Sequence, residues 1–305
     1  MPRGSPQRVF CGADLMLHGE RILIFGGSGM LGQAVTRTLA PYAARMQSLN
    51  SHRGRITDVR HPSRIAMGFA PTWVVNCAAY TDVDGCERDP KKAFDVNGLG
   101  AGTVALAARA NDSKLIHIST DYVFPGDGDT PIVESEKPLP VNVYGESKLN
   151  GEKRVMGILP TACILRVGWL YGRDKKTYID EQIRRAGSGE PLLPSFTDQY
   201  GVPTDTDFVA RAVLKALLFN LSGVFHVALD GYCSRWEQSA FVAKAFGRED
   251  MPPATRTETA NLSAKRPRFT ALDSSSFRRI TSIIMPSWEE KLSQHIQRYR
   301  NSKSL

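Results

Sequence analysis

The feature that most constrains this 305-residue chain is a short apolar run followed at once by glycines and a helical pattern. Residues 21–25 (RILIF) predict a strand, and Gly26, Gly29 and Gly32 follow it as residues 30–39 take up helical periodicity. Glycines at this spacing allow a tight turn, close packing of helix on strand, and close approach of a pyrophosphate to backbone N–H groups. The pattern therefore predicts a dinucleotide-binding strand–turn–helix unit.

Strands and helices continue to alternate over about the first 170 residues. Further strands are predicted at residues 46–50, 73–78, 114–118 and 162–167. The run at 73–78 (WVVNCA) lacks polar alternation, which is typical of a strand covered on both faces. Asp89 and Pro90 form a good N-cap and first-turn pair for a helix to residue 110, and another helix covers about 144–156. This order predicts an α/β, Rossmann-like doubly wound parallel sheet that binds ligands at the carboxyl ends of its strands.

Shorter elements punctuated by prolines follow residue 170 and predict a smaller C-terminal α/β lobe. Helices are expected at residues 205–219, 235–246 and 288–300. The last two begin with capping boxes, in which a Ser and a Glu three residues later satisfy free N–H groups, namely Ser234 with Glu237 and Ser287 with Glu290. We expect an N-terminal leader at residues 1–20, a dinucleotide-binding domain at 21–170, and a mainly substrate-binding lobe at 171–305 with some segments returning to the first domain.

Charge and cysteine usage narrow the class of protein further. The 39 basic and 31 acidic residues give a net charge of +8 that is spread along the chain, so no nucleic-acid surface is predicted. The uncharged stretch at 66–81 is shorter than the roughly 20 apolar residues of a membrane span. Five cysteines form no C-x-x-C pair, and the leader lacks a signal-peptide core. A cytoplasmic protein is expected.

The end of the second predicted strand bears on the choice of dinucleotide. An acid at this position would bind the ribose 2′-hydroxyl of NAD, but the tip here is Asn50, Ser51, His52 and Arg53. A guanidinium with no neighbouring carboxylate favours the 2′-phosphate of NADP(H), although NAD(H) stays an alternative and Arg53 could also belong to a solvated loop. By chain order alone, Asp58 and Val59 are expected beside the adenine.

Tyr144 and Lys148 lie four residues apart, so a helix places them on one face. A nearby ammonium stabilises a phenolate, so the pair predicts a tyrosine with a lowered pKa that exchanges a proton with a substrate oxygen. Such pairs also occur by chance on exposed helices. The sequence STDYVF at 119–124, at the end of the fourth strand, supplies hydroxyls at the same sheet edge.

Taken together, these motifs resemble those of the extended short-chain dehydrogenase/reductases and, within them, the dTDP-4-dehydrorhamnose reductases. The resemblance runs from residue 21 to about residue 272. Beyond the glycine turn it rests on NCAAYTDVD at 76–84, HISTDYVFPGDGDTP at 117–131, VYGESKLNGE at 143–152 and DQYGVPT at 198–204. It implies reduction of the C4 keto group of a nucleotide-linked 4-keto-6-deoxyhexose by NADPH.

The resemblance also implies residue roles. Tyr144 would donate the proton, Lys148 would assist it and bind the ribose, and Thr120 would polarise the sugar carbonyl. Residues implied near the cofactor are Gly26, Gly29, Met30, Leu31, Gly32, Ala78, Ala79, Tyr80 and Asn97. Residues implied near the substrate are Thr81, Val83, Asp84, Asp121, Arg166, Trp169, Lys265 and Arg266. Trp169 could instead be a core residue, and Asp84 and Asp121 could be turn or cap residues.

One segment departs from the family pattern. Lys265, Arg266 and Pro267 resemble a basic motif that meets the nucleotide diphosphate, but an apolar run, FTAL at 269–272, follows where polar residues are expected. A solvated basic surface is the alternative for Lys265 and Arg266.

Two other functions are compatible with the same sequence. One is a nucleotide-sugar epimerase or dehydratase, and the other is an NADP-binding regulatory subunit similar to the β subunit of methionine adenosyltransferase. A homodimer and a bound Mg²⁺ are implied only by some of the resembled reductases, so metal ligands stay unknown.

Overall fold

The computed structural model describes residues 17–303. Twelve strands and eleven helices are found there. The strands are β1 Leu17–Phe25, β2 Ala43–Leu49, β3 Trp73–Asn76, β4 Lys114–Thr120, β5 Cys163–Val167, β6 Leu170–Tyr171, β7 Ser195–Phe196, β8 Tyr200–Gly201, β9 Thr204–Asp205, β10 Gly223–His226, β11 Cys233–Ser234 and β12 Ala254–Thr255. The helices are α1 Met30–Leu39, α2 His61–Phe69, α3 Val83–Arg88, α4 Pro90–Ala93, α5 Gly100–Ala110, α6 Val143–Ile158, α7 Tyr178–Ser188, α8 Thr206–Leu218, α9 Arg235–Ala245, α10 Ser275–Thr281 and α11 Trp288–Lys303.

Six parallel strands form the central sheet, in the order β10-β5-β4-β3-β1-β2. The predicted Rossmann-like α/β fold is therefore confirmed. Strand β2 lies on one side of β1, and β3, which follows β2 in the chain, lies on the other side, so the strand order reverses at β1. Ligands of such sheets bind at this switch point, beyond the carboxyl ends of the strands.

The two faces of the sheet support separate apolar clusters. Along β1, Ile22 and Ile24 belong to one cluster, and Leu23 and Phe25 belong to the other, all fully buried. Helices α1 and α8 cover the first face, and α2 and α5 cover the second. Burial on both faces explains why the strands are continuously apolar.

Several element boundaries differ from those expected. Strand β1 begins at Leu17, so residues 17–20 of the predicted leader are strand; residues 1–16 lie outside the described part of the chain. Strand β2 covers Ala43–Leu49 rather than 46–50, and β4 extends two residues further, to Thr120. Strand β3 ends at Asn76 rather than at residue 78, because the Asn76 side chain accepts a hydrogen bond from the backbone N–H of Ala78 (3.1 Å) and turns the chain out of the sheet.

The predicted helix from residue 90 to residue 110 contains an irregularity. Asp89 caps its start by accepting a hydrogen bond from the backbone N–H of Lys92 (3.0 Å), as expected. Between α4 and α5, however, Phe94–Leu99 form a π-helical segment. Such segments contain one residue more than an α-helix of the same rise, and they often occur at functional sites.

The chain from residue 170 onward contains three short strand pairs and five α-helices. Two elements of this part belong to the first domain's layers, because β10 pairs with β5 in the central sheet and α8 packs against α1. The predicted capping box of α9 is present, since the Ser234 hydroxyl accepts from the N–H of Glu237 (3.0 Å) and the Glu237 carboxylate accepts from the N–H of Ser234 (2.6 Å). At α11, the Ser287 hydroxyl accepts from the N–H of Glu290 (3.2 Å). The domain boundary at residue 170 stays a prediction.

Three global properties of residues 17–303 bear on the class of protein. No helix there combines the length and the apolar character that a bilayer crossing needs. No group of three or more His, Cys, Asp and Glu residues in this range is arranged to hold a metal ion. The four cysteines in the range carry free thiols, and Cys11 lies outside it.

Candidate active site

A cavity of about 690 Å³ opens at the switch point, between the carboxyl ends of the strands and the C-terminal segments. Its wall contains thirteen of the residues expected from the sequence: Gly29, Met30, Leu31, Gly32, Ala79, Thr81, Val83, Thr120, Asp121, Tyr144, Lys148, Trp169 and Arg266. The expected residues that lie outside the wall are Gly26, Asn50, Ser51, Arg53, Asp58, Val59, Ala78, Tyr80, Asp84, Asn97, Arg166 and Lys265. Elements far apart in the sequence therefore meet at one site.

The glycine turn shapes one end of the cavity. Gly26 has a φ of 77°, a conformation that side chains disfavour, and the N–H of Gly29 donates to its carbonyl (3.0 Å). A Cβ atom on Gly32 would lie 2.1 Å from that carbonyl oxygen, so only glycine fits there. No side chain caps the start of α1, and its first turn contains no acid. These residues fit a dinucleotide pyrophosphate, which the free N–H groups and the helix dipole would bind.

The tip of β2 forms a tight turn beside this end. The Asn50 side chain accepts hydrogen bonds from the N–H groups of His52 (3.1 Å) and Arg53 (2.9 Å), so it stabilises the turn. Ser51 and Arg53 are exposed. Asp58 is exposed and accepts from the N–H of Arg60 (3.0 Å), close to the start of α2. Val59 is 64% exposed and, like Asp58, lies outside the cavity wall; their expected place beside an adenine stays a prediction.

Helix α6 brings Tyr144 and Lys148 to the cavity opposite the end of β4. Asn142 caps the helix by accepting from the N–H of Gly145 (2.8 Å). A Cβ atom on Gly145 would lie 2.1 Å from the carbonyl oxygen of Tyr122, so glycine lets the helix approach the turn that follows Thr120. The rings of Tyr122 and Tyr144 consequently pack edge to face, with centroids 5.8 Å apart.

The pKa of Tyr144 differs from the value that its spacing to Lys148 led us to expect. Burial raises the pKa of Tyr144 above its ordinary value, a hydrogen bond with Thr120 lowers it in part, and the Asp121 carboxylate raises it again. The prediction of a lowered tyrosine pKa is therefore wrong for this arrangement, because burial raises the pKa of Tyr144 by more than the hydrogen bond with Thr120 lowers it. At neutral pH the Tyr144 hydroxyl retains its proton.

Lys148 is also buried, and its ammonium donates to the carbonyl oxygen of Ile118 (2.6 Å). Burial lowers the pKa of Lys148 to about 8, while the Glu152 carboxylate opposes this shift. The side chain thus exchanges protons close to neutral pH.

Asn97 connects the loop after β3 to α6. Its side chain accepts from the N–H of Tyr80 (2.8 Å) and donates to the carbonyl of Tyr80 (3.0 Å) and to the hydroxyl of Ser147 (2.9 Å). The π-helical segment places Asn97 at this point. Asn97 therefore positions the backbone around Ala79 without lining the cavity itself.

The expected substrate residues separate into two groups. Arg266 lines the cavity but forms a bidentate ion pair with Asp84 (2.7 and 3.2 Å), and Asp84 also accepts from the N–H of Ala264 (2.9 Å). Burial alone would raise the pKa of Asp84, but these contacts hold it below its ordinary value. Lys265 is exposed, and its carbonyl accepts from the side chain of Asn142 (2.9 Å). Asp84 thus bridges backbone and guanidinium rather than lining the cavity.

Arg166 is another correction. It was expected at the strand end beside the nicotinamide and the substrate, but it is buried behind the cavity wall and forms hydrogen bonds with the Glu152 carboxylate (2.9 and 2.7 Å). The Ser119 hydroxyl donates to the same carboxylate (2.5 Å). Because β5 is covered on both faces, a long side chain near its end is retained inside the protein and requires a buried counter-ion.

Trp169 lies on the wall with its backbone in the left-handed region (φ 47°). The cavity also contains residues that the sequence analysis missed, among them Tyr122, Lys175, Tyr178, Phe196, Gln199 and Arg235. Arg235 is notable because its guanidinium carbon lies 3.4 Å from the centroid of the Trp169 ring. Tyr122 and Gln199 fall within the family-like segments at 117–131 and 198–204, whereas no motif marks the other four, which contacts between distant residues bring to the cavity.

The parallel sheet, the glycine turn at its switch point, and Thr120, Tyr144 and Lys148 on one wall define a Rossmann-type oxidoreductase of the short-chain dehydrogenase/reductase class. Comparison with known proteins narrows this class. A family model described as the RmlD substrate binding domain matches residues 20–301. The chain therefore belongs to the RmlD family of dTDP-4-dehydrorhamnose reductases.

Individual relatives agree with this assignment. A dTDP-4-dehydrorhamnose reductase from Mycolicibacterium smegmatis is 35% identical over 92% of this chain and 86% of the relative. The structure of a dTDP-4-dehydrorhamnose reductase from Clostridium acetobutylicum has a TM-score of 0.87 and 31% identity, covering 92% of this chain and 99% of that one. Another, from Bacillus anthracis in complex with NADP, has a TM-score of 0.86 and 31% identity, covering 90% and 98% of the two chains.

Proposed function

We propose that this protein reduces the C4 keto group of dTDP-4-dehydro-L-rhamnose to give dTDP-L-rhamnose, with NADPH as the reductant. The observation that carries the proposal is the convergence of Thr120, Tyr144 and Lys148 on one wall of the cavity whose other end is the glycine turn. The names of the M. smegmatis and C. acetobutylicum relatives support the same substrate.

The protonation state of Tyr144 suits a reduction. NADPH, when bound, supplies the hydride that adds to the carbonyl carbon. The developing alkoxide then needs a hydrogen bond and a proton. Thr120 would provide the hydrogen bond, and Tyr144, whose pKa is raised by burial, would provide the proton.

Lys148 would restore the proton of Tyr144. Its ammonium lies in the same buried region, and its pKa of about 8 makes proton release accessible near neutral pH. Glu152 favours the charged form from the next turn of α6. Tyr144 would thus be the proton donor, and Lys148 would be the group that returns a proton to it.

Residues at the glycine turn would bind the cofactor pyrophosphate, and the exposed Arg53 beside Ser51 would favour the 2′-phosphate of NADPH. The NADP complex of the B. anthracis relative supports this choice over NADH.

The test is the stoichiometric oxidation of NADPH, followed by absorbance, when dTDP-4-dehydro-L-rhamnose is added. One equivalent of NADPH should be consumed per keto sugar, and the product should be identified as dTDP-L-rhamnose by mass and NMR. A regulatory subunit would bind NADPH and leave it unchanged, whereas an epimerase or dehydratase would transform the sugar with no net loss of NADPH. Either result would reject the proposal.

A further inference from the structure

Arg235 is a half-buried cation on the wall of the active-site cavity. It is the first residue of α9, directly after the capping residue Ser234, and its backbone N–H donates to the carbonyl of Gln199 (3.0 Å). Its guanidinium lies flat against the indole of Trp169, 3.4 Å from the ring centroid. Backbone and stacking contacts together fix the position of the charge.

The other guanidinium groups near the cavity are committed to carboxylates. Arg266 is held by Asp84, and Arg166 is held by Glu152 behind the wall. Over residues 17–303, no carboxylate lies within ion-pair distance of Arg235, and its side-chain hydrogen bond is a long one of 3.5 Å to Gln238. Arg235 is thus an available cation.

No carboxylate facing Arg235 among the described residues forms an ion pair with it. Asp121 attracts it through space but makes no direct contact; burial raises the pKa of that carboxyl to about 6, and one of its oxygens has no hydrogen-bond partner among the described residues. Burial raises the pKa of Tyr122, so its hydroxyl is uncharged near pH 7. A half-buried cation that has no ion-pair partner would bind an anion that enters the cavity favourably.

The substrate class proposed above contains one anionic group. A 6-deoxyhexose has only hydroxyl and keto oxygens, so the negative charge of the nucleotide sugar is on its diphosphate. A guanidinium stacked on an indole keeps the N–H groups at its edge free for two parallel hydrogen bonds to a phosphate. We propose that Arg235, oriented by Trp169, binds the substrate diphosphate. This inference rests on the proposed function.

The assignment differs from the one based on sequence, which gave this role to Lys265 and Arg266. Lys265 is exposed outside the cavity wall, and Arg266 is paired with Asp84. The two hypotheses therefore predict different effects of single substitutions.

Calorimetric titration with dTDP, UDP and GDP, in the presence of saturating NADP⁺, tests the inference. Arg235→Ala should weaken binding of the preferred diphosphate roughly 10- to 150-fold, which is the range for a hydrogen bond to a charged group. Arg235→Lys should lose less, because it retains the charge without the planar fork. Arg268→Ala is the matched control: Arg268 is exposed, outside the cavity wall, and donates to the carbonyl of Gly128 (2.8 Å).

The fold of each variant is verified by its NADPH affinity and thermal midpoint, and Arg235→Lys keeps the test available if Arg235→Ala fails to fold. Unchanged diphosphate affinity in a folded Arg235 variant, or a larger loss in Lys265→Ala, would overturn the inference. The inference would also be overturned if an Arg235 variant lost affinity for a dTDP-sugar but not for dTDP, because Arg235 would then contact the sugar rather than the diphosphate. If the wild type binds none of the three diphosphates, the proposed function itself fails; otherwise only the role of Arg235 does.

Discussion

Replacement of Tyr144 by phenylalanine removes one hydroxyl and leaves the ring in place. The ring packs edge to face on Tyr122, and that contact does not involve the hydroxyl. The lost hydrogen bond with Thr120 should reduce the free energy of unfolding by about 1 kcal/mol. A properly folded protein that lacks the proposed proton donor is therefore expected.

The effect on turnover should be much larger than the effect on stability. A positioned general acid contributes typically 10²- to 10⁴-fold to the rate, or about 2.7 to 5.4 kcal/mol of transition-state free energy. Single-turnover oxidation of NADPH, monitored after mixing with the keto sugar, would measure this directly. The affinity for NADPH, from fluorescence titration, should change much less than the rate.

Tyr171→Phe is the matched control. Tyr171 is also buried, but its hydroxyl has no hydrogen-bond partner within the described part of the chain, and it lies outside the cavity wall. Its removal should leave turnover unchanged and stability equal or higher, because a buried unpaired hydroxyl is unfavourable. A loss below tenfold in Tyr144→Phe, or similar losses in both variants, would show that Tyr144 is not the proton donor.

Three further predictions concern the cofactor and the pH dependence. The wild type should have a higher kcat/KM for NADPH than for NADH, and Arg53→Ala should narrow the ratio by roughly 10-fold or more; a preference for NADH would contradict the assignment. Gly32→Ala should abolish NADPH binding or folding, because the new Cβ atom would lie 2.1 Å from the carbonyl oxygen of Gly26. Gly157→Ala should be stable, because no atom lies within 4 Å of the position of its Cβ, and thermal melts with NADPH titrations will compare the two variants. Since the pKa of Lys148 is lowered to about 8, kcat/KM should fall as the pH rises through about 8, and this fall should be absent in Lys148→Met. The free energy of unfolding should instead rise with pH between about 8 and the ordinary lysine pKa, because in that range Lys148 is protonated in the unfolded chain but not in the folded one.

Local sequence signals predicted the elements that depend on local physics. The glycine turn, the Asp89 cap and the Ser234 capping box each involve residues within a few positions of one another, and each is present. Continuous apolar runs predicted a sheet covered on both faces, because burial and strand composition are directly linked. The boundaries were less accurate, since side chains such as Asn76 end a strand through contacts that no run of residues reveals.

The details of the site depended on contacts between distant residues. Asp84 and Arg266 are 182 positions apart, so their ion pair could not be recognised from either segment. Arg235 reaches Trp169 through the docking of α9, and burial of Tyr144 reverses the pKa shift expected from its spacing to Lys148. In each case the residue type was visible in the sequence, but its neighbours and its exposure were not.

The π-helical segment Phe94–Leu99 gives this stretch of chain an unusual sensitivity to length. Deletion of one residue there would convert it to a regular α-helix, a change that usually favours helix stability. The same deletion would rotate Asn97 by about 100° relative to the following helix and break its three hydrogen bonds to Tyr80 and Ser147. The π-helical segment, although less regular than an α-helix, is thus the arrangement that keeps Asn97 in contact with the loop beside the cavity. Insertions and deletions in this segment should therefore be far less tolerated than substitutions.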